Sequence, residues 1–133
     1  MLKPNAYLHF GKMIMATEKE FTIGNLKMFQ FNEEAAGQFY AEHKGKAFYP
    51  TLMGFMTSDY SVGMELIAPN AISKWRNFIG PTNSLKAKEE APQSLRALYG
   101  EDNTKNACHG SDAPTSAERE LNLIFSNEAL VRV

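Results

Sequence analysis

The spacing of apolar residues switches along the chain between a helical period and a strand period, and the switches predict the order of the elements. Helical spacing covers residues 7 to about 18, 33–43, part of 44–58, and 70–79. Asn32 is placed to cap the second of these helices, because its side chain can accept a hydrogen bond from the first helical turn.

The strand-like segments have a different pattern. Residues 21–31 carry apolar side chains on both alternating sets, which predicts a strand covered on both faces. Residues 60–68 predict a second long strand, and residues 106–110 a short one. Only Met1 and Leu2 precede the Lys3–Pro4 pair, so a first strand at this end is expected to be cut short.

Residues 80–106 interrupt the pattern with glycine, proline, asparagine and aspartate, and only residues 94–100 have helical spacing there. A loop of that length is usually functional or disordered. Beyond it, Thr115 and Glu118 have the spacing of a capping box for a last helix. The apolar face of that helix is expected to consist of Ala117, Leu121, Ile124 and Phe125.

This order of elements predicts an α+β fold, a mostly antiparallel sheet with helices packed against it. The 133 residues suit one domain, 1–133, with its first strand and C-terminal tail truncated. A net charge of −1 offers no field that would hold nucleic acid, and no apolar run is long enough to cross a membrane. The single cysteine excludes an intrachain disulfide and favours the cytoplasm.

His109 is the main candidate for chemistry. A nucleophilic imidazole must be neutral, and its second nitrogen must donate its proton to an acceptor. Glu120, in the helix that follows, is a candidate acceptor, Gly110 leaves room beside the ring, and Ser111 can hydrogen-bond a transferred group. Local sequence alone leaves alternatives open: a solvated loop histidine, a zinc ligand without a recognisable ligand set, or a nucleophilic Cys108.

Any phosphate must be bound by side chains, because the chain has no GxxxxGK[ST] loop. Arg76 and Arg96 are the candidates, since a guanidinium binds phosphate with two parallel hydrogen bonds. Together with Thr82 they bracket residues 80–106, which makes that segment a candidate phosphate-binding region.

The segment NACHGSDAPTSAERELNLIF resembles the active-site signature of nucleoside diphosphate kinases, N-x-x-H-G-S-D followed by S-A-x-x-E. KPNA, FYAEHKGKAFYPTLMGFM and KWRNFIGPTNS match the same family in the same order, so the resemblance covers nearly the whole chain. IGPTNS, SLRALYG and a longer loop are similar to the divergent branch, which includes kinase-like domains of axonemal proteins of cilia.

The resemblance implies a ferredoxin-like fold with a four-stranded antiparallel sheet. It also implies that His109 accepts the phosphoryl group, that Glu120 orients it and that Ser111 supports Glu120. Phosphates and ribose would be held by Lys3, Tyr40, Arg76, Thr82, Arg96 and Asn106, with Tyr49 stacking on the base. The metal implied is Mg²⁺, bound through the nucleotide's phosphates and not by protein ligands.

The activity implied is ping-pong transfer of a γ-phosphoryl group from a nucleoside triphosphate to a nucleoside diphosphate through phosphorylated His109. The implied assembly is a homo-oligomer, a hexamer or a dimer, or else a domain of a larger chain. Asn5 replaces the family's usual aspartate beside the site, so weaker support for Lys3 is expected. The alternative is a weakly active or inactive structural domain of a larger ciliary protein.

Overall fold

The computed structural model describes residues 1–126. A 3-10 helix, Pro4–His9, opens the chain and a second, Ala41–His43, follows the second α-helix. The regular elements are α1 (Phe10–Glu20), β1 (Thr22–Phe29), α2 (Glu33–Phe39), α3 (Tyr49–Met56), β2 (Ser61–Ile67), α4 (Ala71–Ile79), α5 (Ser84–Glu90), α6 (Leu95–Tyr99) and α7 (Pro114–Phe125). The expectation about the C-terminal tail concerns residues 127–133, which lie outside the described part.

The sheet corrects the four-stranded expectation. Within residues 1–126, two strands form, β1 and β2, and they pair antiparallel. Two further segments extend the sheet through single bridges: Leu2 bridges both Val62 and Cys108. The spatial order is therefore β1, β2, the segment around Leu2, and the segment around Cys108. These outer segments contribute too few paired residues to count as strands, because the first contains only the residues before the helix at Pro4.

Helices cover both faces of this narrow sheet, so there are two apolar cores. On one face, α1, α4 and α6 pack over Leu2, Val62 and Cys108. On the other face, α2, α3 and α7 pack over Met1 and Phe29. The alternation of Met1 and Leu2 between the two cores follows from the two-residue period of extended backbone.

Several local predictions can be compared with the structure. Asn32 caps α2 by accepting a hydrogen bond from the backbone N–H of Ala35, as predicted. The Thr115–Glu118 capping box is wrong: α7 begins at Pro114, and its N-cap residue makes no side-chain cap. The expectation that β1 is covered on both faces is also wrong, because half of its residues are exposed and Leu26 is 47% accessible.

The segment 80–106 contains more helix than predicted. Besides α6, it forms α5, which Asn83 caps by accepting hydrogen bonds from the backbone N–H groups of Leu85 and Lys86. The two short helices pack against each other, and α6 also packs against α4. The segment is therefore a folded subdomain, and its compactness fixes the positions of Thr82, Arg96 and Asn106. No helix in residues 1–126 is long and apolar enough to span a membrane.

Gly100→Ala should destabilise the fold. A Cβ at this position would lie 2.0 Å from Ser84 Oγ and 2.6 Å from the backbone oxygen of Arg96, and the backbone cannot move aside as a side chain could. Overpacking of this kind costs about 1–3 kcal/mol. Gly54→Ala in α3 is the matched control: nothing lies within 4 Å, and alanine should raise stability by about 0.5–1 kcal/mol. Urea unfolding measures both, and equal stabilities for the two variants would contradict the predicted contact.

Candidate functional site

His109 lies on the segment that forms one edge of the sheet. Its backbone N–H donates to the carbonyl of Met1, and its own carbonyl accepts from the backbone nitrogen of Met1. Just before it, Ala107 has a φ of 71°, and the N–H of Cys108 donates to the carbonyl of Asn106, which closes a γ-turn. A non-glycine residue in this conformation is strained. Asn106 and His109, on either side of this turn, both line one pocket.

His109, Ser111 and Glu120 form one hydrogen-bonded group. The Nε2 atom of His109 and the Oγ atom of Ser111, at 3.0 Å, both meet the Oε1 atom of Glu120. Glu120 is almost fully buried at 8% side-chain exposure, and the His109 side chain is 23% exposed. The structure thus brings together the three residues predicted from the sequence, and the helix α7 supplies the carboxylate. Gly110 leaves room for Trp75, because a Cβ at this position would lie 2.9 Å from Trp75 Cδ1.

Arg119 is a residue that the sequence reasoning missed. It lies 3.7 Å from the second carboxylate oxygen of Glu120 and donates to the backbone carbonyls of Gln38 and Phe39. It therefore ties α7 to the end of α2, on which Tyr40 follows. The sequence offered one signal for Arg119, its position directly before Glu120. That signal is weak, because neighbouring residues on a helix usually point in different directions.

Burial lowers the pKa of His109 to about 4, although the hydrogen bond and charge of Glu120 act in the opposite direction. The ring is therefore neutral at pH 7, as a nucleophile requires. For Glu120, burial is the largest influence and would raise its pKa, but His109, Ser111 and Arg119 together outweigh it and the pKa is lowered. A carboxylate thus faces a neutral imidazole, and the proton lies on Nε2.

The pKa of His109 predicts a pH dependence of stability. In the unfolded chain the imidazole takes up a proton near pH 6.5, whereas in the folded chain it does so only near pH 4. Between these values the unfolded state binds more protons, so the free energy of unfolding should decrease as the pH falls. From pH 7 to pH 5 we expect a loss of about 1–2 kcal/mol. Urea unfolding at both pH values measures this loss of stability. His109→Gln should lose less stability than the parent protein, and an equal loss would contradict the lowered pKa of His109.

A pocket of about 420 Å³ opens beside His109, and most of the predicted phosphate-binding and ribose-binding residues line it. We call it the phosphate pocket. Its walls include Lys3, Tyr40, Arg76, Thr82, Arg96, Asn106 and His109. The residues come from the Leu2 segment, the end of α2, α4, the 80–106 subdomain and the His109 segment. The predicted set is thus assembled from parts of the chain far apart in sequence.

The cations of the phosphate pocket are held by backbone oxygens. Arg96 donates to the carbonyls of Gly80 at 2.9 Å and Cys108 at 2.9 Å, and Arg76 donates to the carbonyl of Gly110 at 3.2 Å. No carboxylate of the described residues forms an ion pair with Lys3, Arg76 or Arg96. Burial, followed by the charge of Arg96, lowers the pKa of Lys3 to about 8. These are features of a site that receives an anion.

Several buried polar atoms near the pocket have no hydrogen-bond partner. They are the hydroxyl of Tyr40, the Nε of Arg96 and the Oδ1 of Asn106. The Nδ2 of Asn106 is already used, donating to the carbonyls of Thr82 and Asn103. Burying an unpaired polar atom costs about 1–3 kcal/mol, so a polar ligand that pairs with these atoms would be favoured.

The structure does not place Tyr49, the predicted stacking residue, on the wall of the phosphate pocket. Tyr49 is the first residue of α3, packs against the core and does not line the phosphate pocket. Phe48, one residue earlier, lines it and is 44% exposed. The helix start explains the difference, because the residue before the helix projects away from the packed face. An exposed phenylalanine on a pocket wall is a candidate for contact with a ligand.

The remaining alternatives for this segment are not favoured. Cys108 is fully buried, and burial raises the pKa of its thiol to about 11, so it stays protonated at pH 7. No group of three or more metal-ligating side chains occurs in residues 1–126.

Asn5 does not hydrogen-bond Lys3. It donates to the carbonyls of Tyr99 and Lys105 and accepts from the N–H of Ala107. It therefore supports the strained turn before His109.

The comparison with protein families decides the identity. The family described as nucleoside diphosphate kinase matches residues 1–130. The chain belongs to the nucleoside diphosphate kinase family. The nucleoside diphosphate kinase of Aquifex aeolicus is 44% identical over 98% of this chain and 94% of the relative. The structure of an Aquifex nucleoside diphosphate kinase superposes with a TM-score of 0.90, at 40% identity over 98% of this chain and 94% of that one.

Other relatives include divergent members of the nucleoside diphosphate kinase family and a second solved structure. Nucleoside diphosphate kinase homolog 7 of Rattus norvegicus is 40% identical over 94% of this chain, but the match covers 32% of that protein. This chain thus spans about a third of that relative's length. A Halobacterium salinarum nucleoside diphosphate kinase in complex with CDP has a TM-score of 0.86 at 31% identity, over 99% of this chain and 88% of the other. The fold is that of the family.

Proposed function

We propose that this protein is a nucleoside diphosphate kinase that transfers a γ-phosphoryl group through a phosphohistidine at His109. The observation that carries the proposal is the bond between His109 Nε2 and Glu120. Because Nε2 donates its proton there, Nδ1 keeps a free lone pair. The ring also lines the phosphate pocket, so a phosphoryl group bound there is within reach of a nucleophile that is neutral at pH 7.

In the first half-reaction, Nδ1 of His109 attacks the γ-phosphorus of a nucleoside triphosphate. A nitrogen–phosphorus bond forms, the bond to the bridging oxygen breaks, and the nucleoside diphosphate leaves with that oxygen's negative charge. The positive charge that develops on the imidazole is balanced by Glu120, whose carboxylate already holds Nε2. In the second half-reaction a different diphosphate attacks the phosphohistidine, and the ring returns to its neutral state.

Positive charge around the transferring group supplies most of the catalysis of phosphoryl transfer. Lys3, Arg76 and Arg96 line the pocket and can stabilise the equatorial oxygens. Mg²⁺ fits the same pocket: the nucleotide's phosphate oxygens would hold it, as the resemblance implies, and Asp112 on the wall adds one carboxylate to the expected set. Bound there, it would neutralise part of the phosphate charge. Asn106 Oδ1 and the Tyr40 hydroxyl are free to pair with the sugar or the phosphates.

The chemical test is a labelled phosphoenzyme. The protein is incubated with γ-labelled ATP and Mg²⁺, separated, and then given GDP. We expect label on the protein that is stable to alkali and labile to acid, as a phosphoramidate bond is, and its transfer to GTP after the chase. Absence of both label and transfer in a correctly folded sample would refute the proposal.

The base is proposed to stack on Phe48. Every base has an aromatic face, and stacking without hydrogen bonds to the base edge discriminates weakly between bases. A broad range of nucleoside diphosphates and triphosphates is therefore expected as substrates. His43 packs at 5.4 Å between ring centroids from Phe48, which holds the phenyl ring at the rim of the pocket.

Phe48→Ala should raise the KM for nucleotides about tenfold or more, because base stacking contributes about 1–3 kcal/mol per base. The kcat should change little, since the ring does not contact the transferring group. Tyr49→Phe is the matched control: it keeps the core packing and should leave both constants unchanged. A coupled assay of steady-state exchange between ATP and a second diphosphate gives both values. If Tyr49→Ala raises KM while Phe48→Ala does not, the stacking residue is Tyr49 after all.

A structural domain with little or no activity is the second candidate. The observation that favours it is the resemblance to nucleoside diphosphate kinase homologs 5 and 7, of which the matches cover 50% and 32%. This candidate predicts nucleotide binding without exchange, or neither. Calorimetric titration with ADP and Mg²⁺, run beside the exchange assay, separates the two. We extend the proposal to a homo-oligomer in the cytoplasm or a cilium, tested by sedimentation and by imaging of the tagged protein.

A further inference from the structure

The indole of Trp75 contacts the backbone of His109 from the side opposite the sheet. Its Nε1 donates to the carbonyl of His109 at 3.0 Å, and the same carbonyl accepts from the backbone nitrogen of Met1. Trp75 is 6% exposed and packs edge-on against Phe21, and the ring of Phe78 contacts both. A group buried this firmly has one orientation, so its N–H is a fixed donor.

The indole also sets how closely α4 approaches the chain after His109. A Cβ on Gly110 would lie 2.9 Å from Trp75 Cδ1 and 3.2 Å from Nε1. The next residue of α4, Arg76, donates to the carbonyl of Gly110. Two neighbouring residues of one helix therefore hold two consecutive carbonyls. The peptide planes that connect His109 to Ser111 cannot rotate without breaking one of these hydrogen bonds.

That restraint acts on the hydrogen bonds to Glu120. His109 and Ser111 reach the same oxygen of Glu120 from the two ends of this short segment. If the carbonyl of His109 turned away, the separation of the two donors would change and both could not be satisfied at once. We infer that Trp75 is a positioning residue for phosphoryl transfer, holding His109 through its carbonyl so that the imidazole keeps Nε2 on Glu120 and Nδ1 free. This inference rests on the proposed function.

Trp75 does not line the phosphate pocket; it lines a neighbouring cavity of about 110 Å³ between α4 and α7, which shares His109, Gly110 and Glu120 with that pocket. Its effect should therefore fall on kcat and not on the KM for nucleotides. A small displacement of a reacting group is enough to slow a reaction considerably. We expect about a tenfold decrease in kcat when the indole N–H is removed while the ring stays.

The substitution that isolates the N–H is available because Trp75 is the chain's one tryptophan. Expression with benzothienylalanine in place of tryptophan keeps the bicyclic ring and replaces N–H by sulfur. Trp75→Phe is the genetic counterpart. Phe78→Leu is the control, since it removes packing against the same indole without touching His109. The inference predicts a lower kcat with unchanged KM for the first two proteins and an unchanged kcat for Phe78→Leu.

A second readout needs no nucleotide. Nitrogen NMR of the His109 ring reports which ring nitrogen carries the proton, and the resonance is assigned by its loss in His109→Gln. The parent protein should have one tautomer, protonated at Nε2, and the benzothienyl protein a mixture with the Nδ1 form. If the tautomer ratio is unchanged, or if Phe78→Leu lowers kcat as much, the inference is overturned. The two proposals can fail separately. If the parent protein forms no phosphoenzyme, the proposed kinase activity is refuted. If the tautomer of His109 nevertheless changes when the indole N–H is removed, the positioning of His109 by Trp75 is retained.

Discussion

His109→Ala is expected to abolish phosphoenzyme formation and to lower the exchange of phosphoryl groups between nucleotides by at least about four orders of magnitude. The reason is that, among the described side chains on the pocket wall, this imidazole is the one whose second ring nitrogen is held by a carboxylate. Cys108 is buried with its thiol protonated, and Ser111 is occupied by donating to Glu120. Lys3, Arg76 and Arg96 would remain, so nucleotide binding should persist at similar affinity. Gel or mass-spectrometric detection of the phosphoenzyme and a calorimetric binding titration are the two measurements.

His9→Ala is the matched control for this variant. His9 is exposed at the end of the first 3-10 helix and stacks on Tyr99, away from the phosphate pocket. It should leave labelling and exchange unchanged. If His109→Ala takes up label as strongly as the parent protein does, another residue is the nucleophile.

Lys3→Gln is expected to produce the second-largest loss, about a hundredfold to a thousandfold in kcat. Lys3 is buried at the pocket, and among the described residues its ammonium has one direct hydrogen-bond acceptor, the carbonyl of Thr104 at 3.5 Å. That long contact leaves the charge available to a phosphate oxygen. Glutamine fits the volume of the lysine stem but carries no charge. Lys105→Gln, at an exposed position on the neighbouring loop, is the control and should have parental activity.

The same lysine predicts an alkaline limit to the reaction. Because burial lowers its pKa to about 8, Lys3 loses its charge at a pH where an exposed lysine would keep it. The kcat/KM of the parent protein should therefore fall above about pH 8. In Lys3→Gln the residual activity should have no such decrease. A parental profile that stays flat to pH 10 would mean that this ammonium does not act on the transferred group.

The sequence predicted the chemistry of the site better than it predicted the backbone that carries it. His109, Ser111 and Glu120 were candidates from residue types and spacing, the family resemblance supplied their roles, and α7 places Glu120 where a loop-then-helix arrangement predicts. Apolar spacing does not reveal on which residue α3 begins, so the aromatic side chain that reaches the pocket wall, Phe48, was placed one residue too late. The error matters, since one helical step turns a side chain by about 100°.

The errors in the fold have physical causes too. The helix α5 was taken for loop because glycine, proline and asparagine surround it, although Asn83 is a good N-cap. Residues 1–3 and 106–109 could not be predicted as sheet partners from local pattern, because their pairing is between distant parts of the chain. Trp75 looked like an ordinary core residue, and only its hydrogen bond to His109 distinguishes it.

The segment around Leu2 connects parts of the molecule that are synthesised at very different times. Lys3 and Thr104 touch although 101 residues separate them along the chain. The site that combines Lys3, Asn106 and His109 therefore cannot exist until the chain has been made through α7, and contacts of this range are slow to form. A nucleotide that binds there binds only the completed fold and stabilises it in proportion to its concentration. Nucleotide in the cell would then stabilise completed chains and not partial ones, and depletion of nucleotide would leave newly made chains more open to proteolysis.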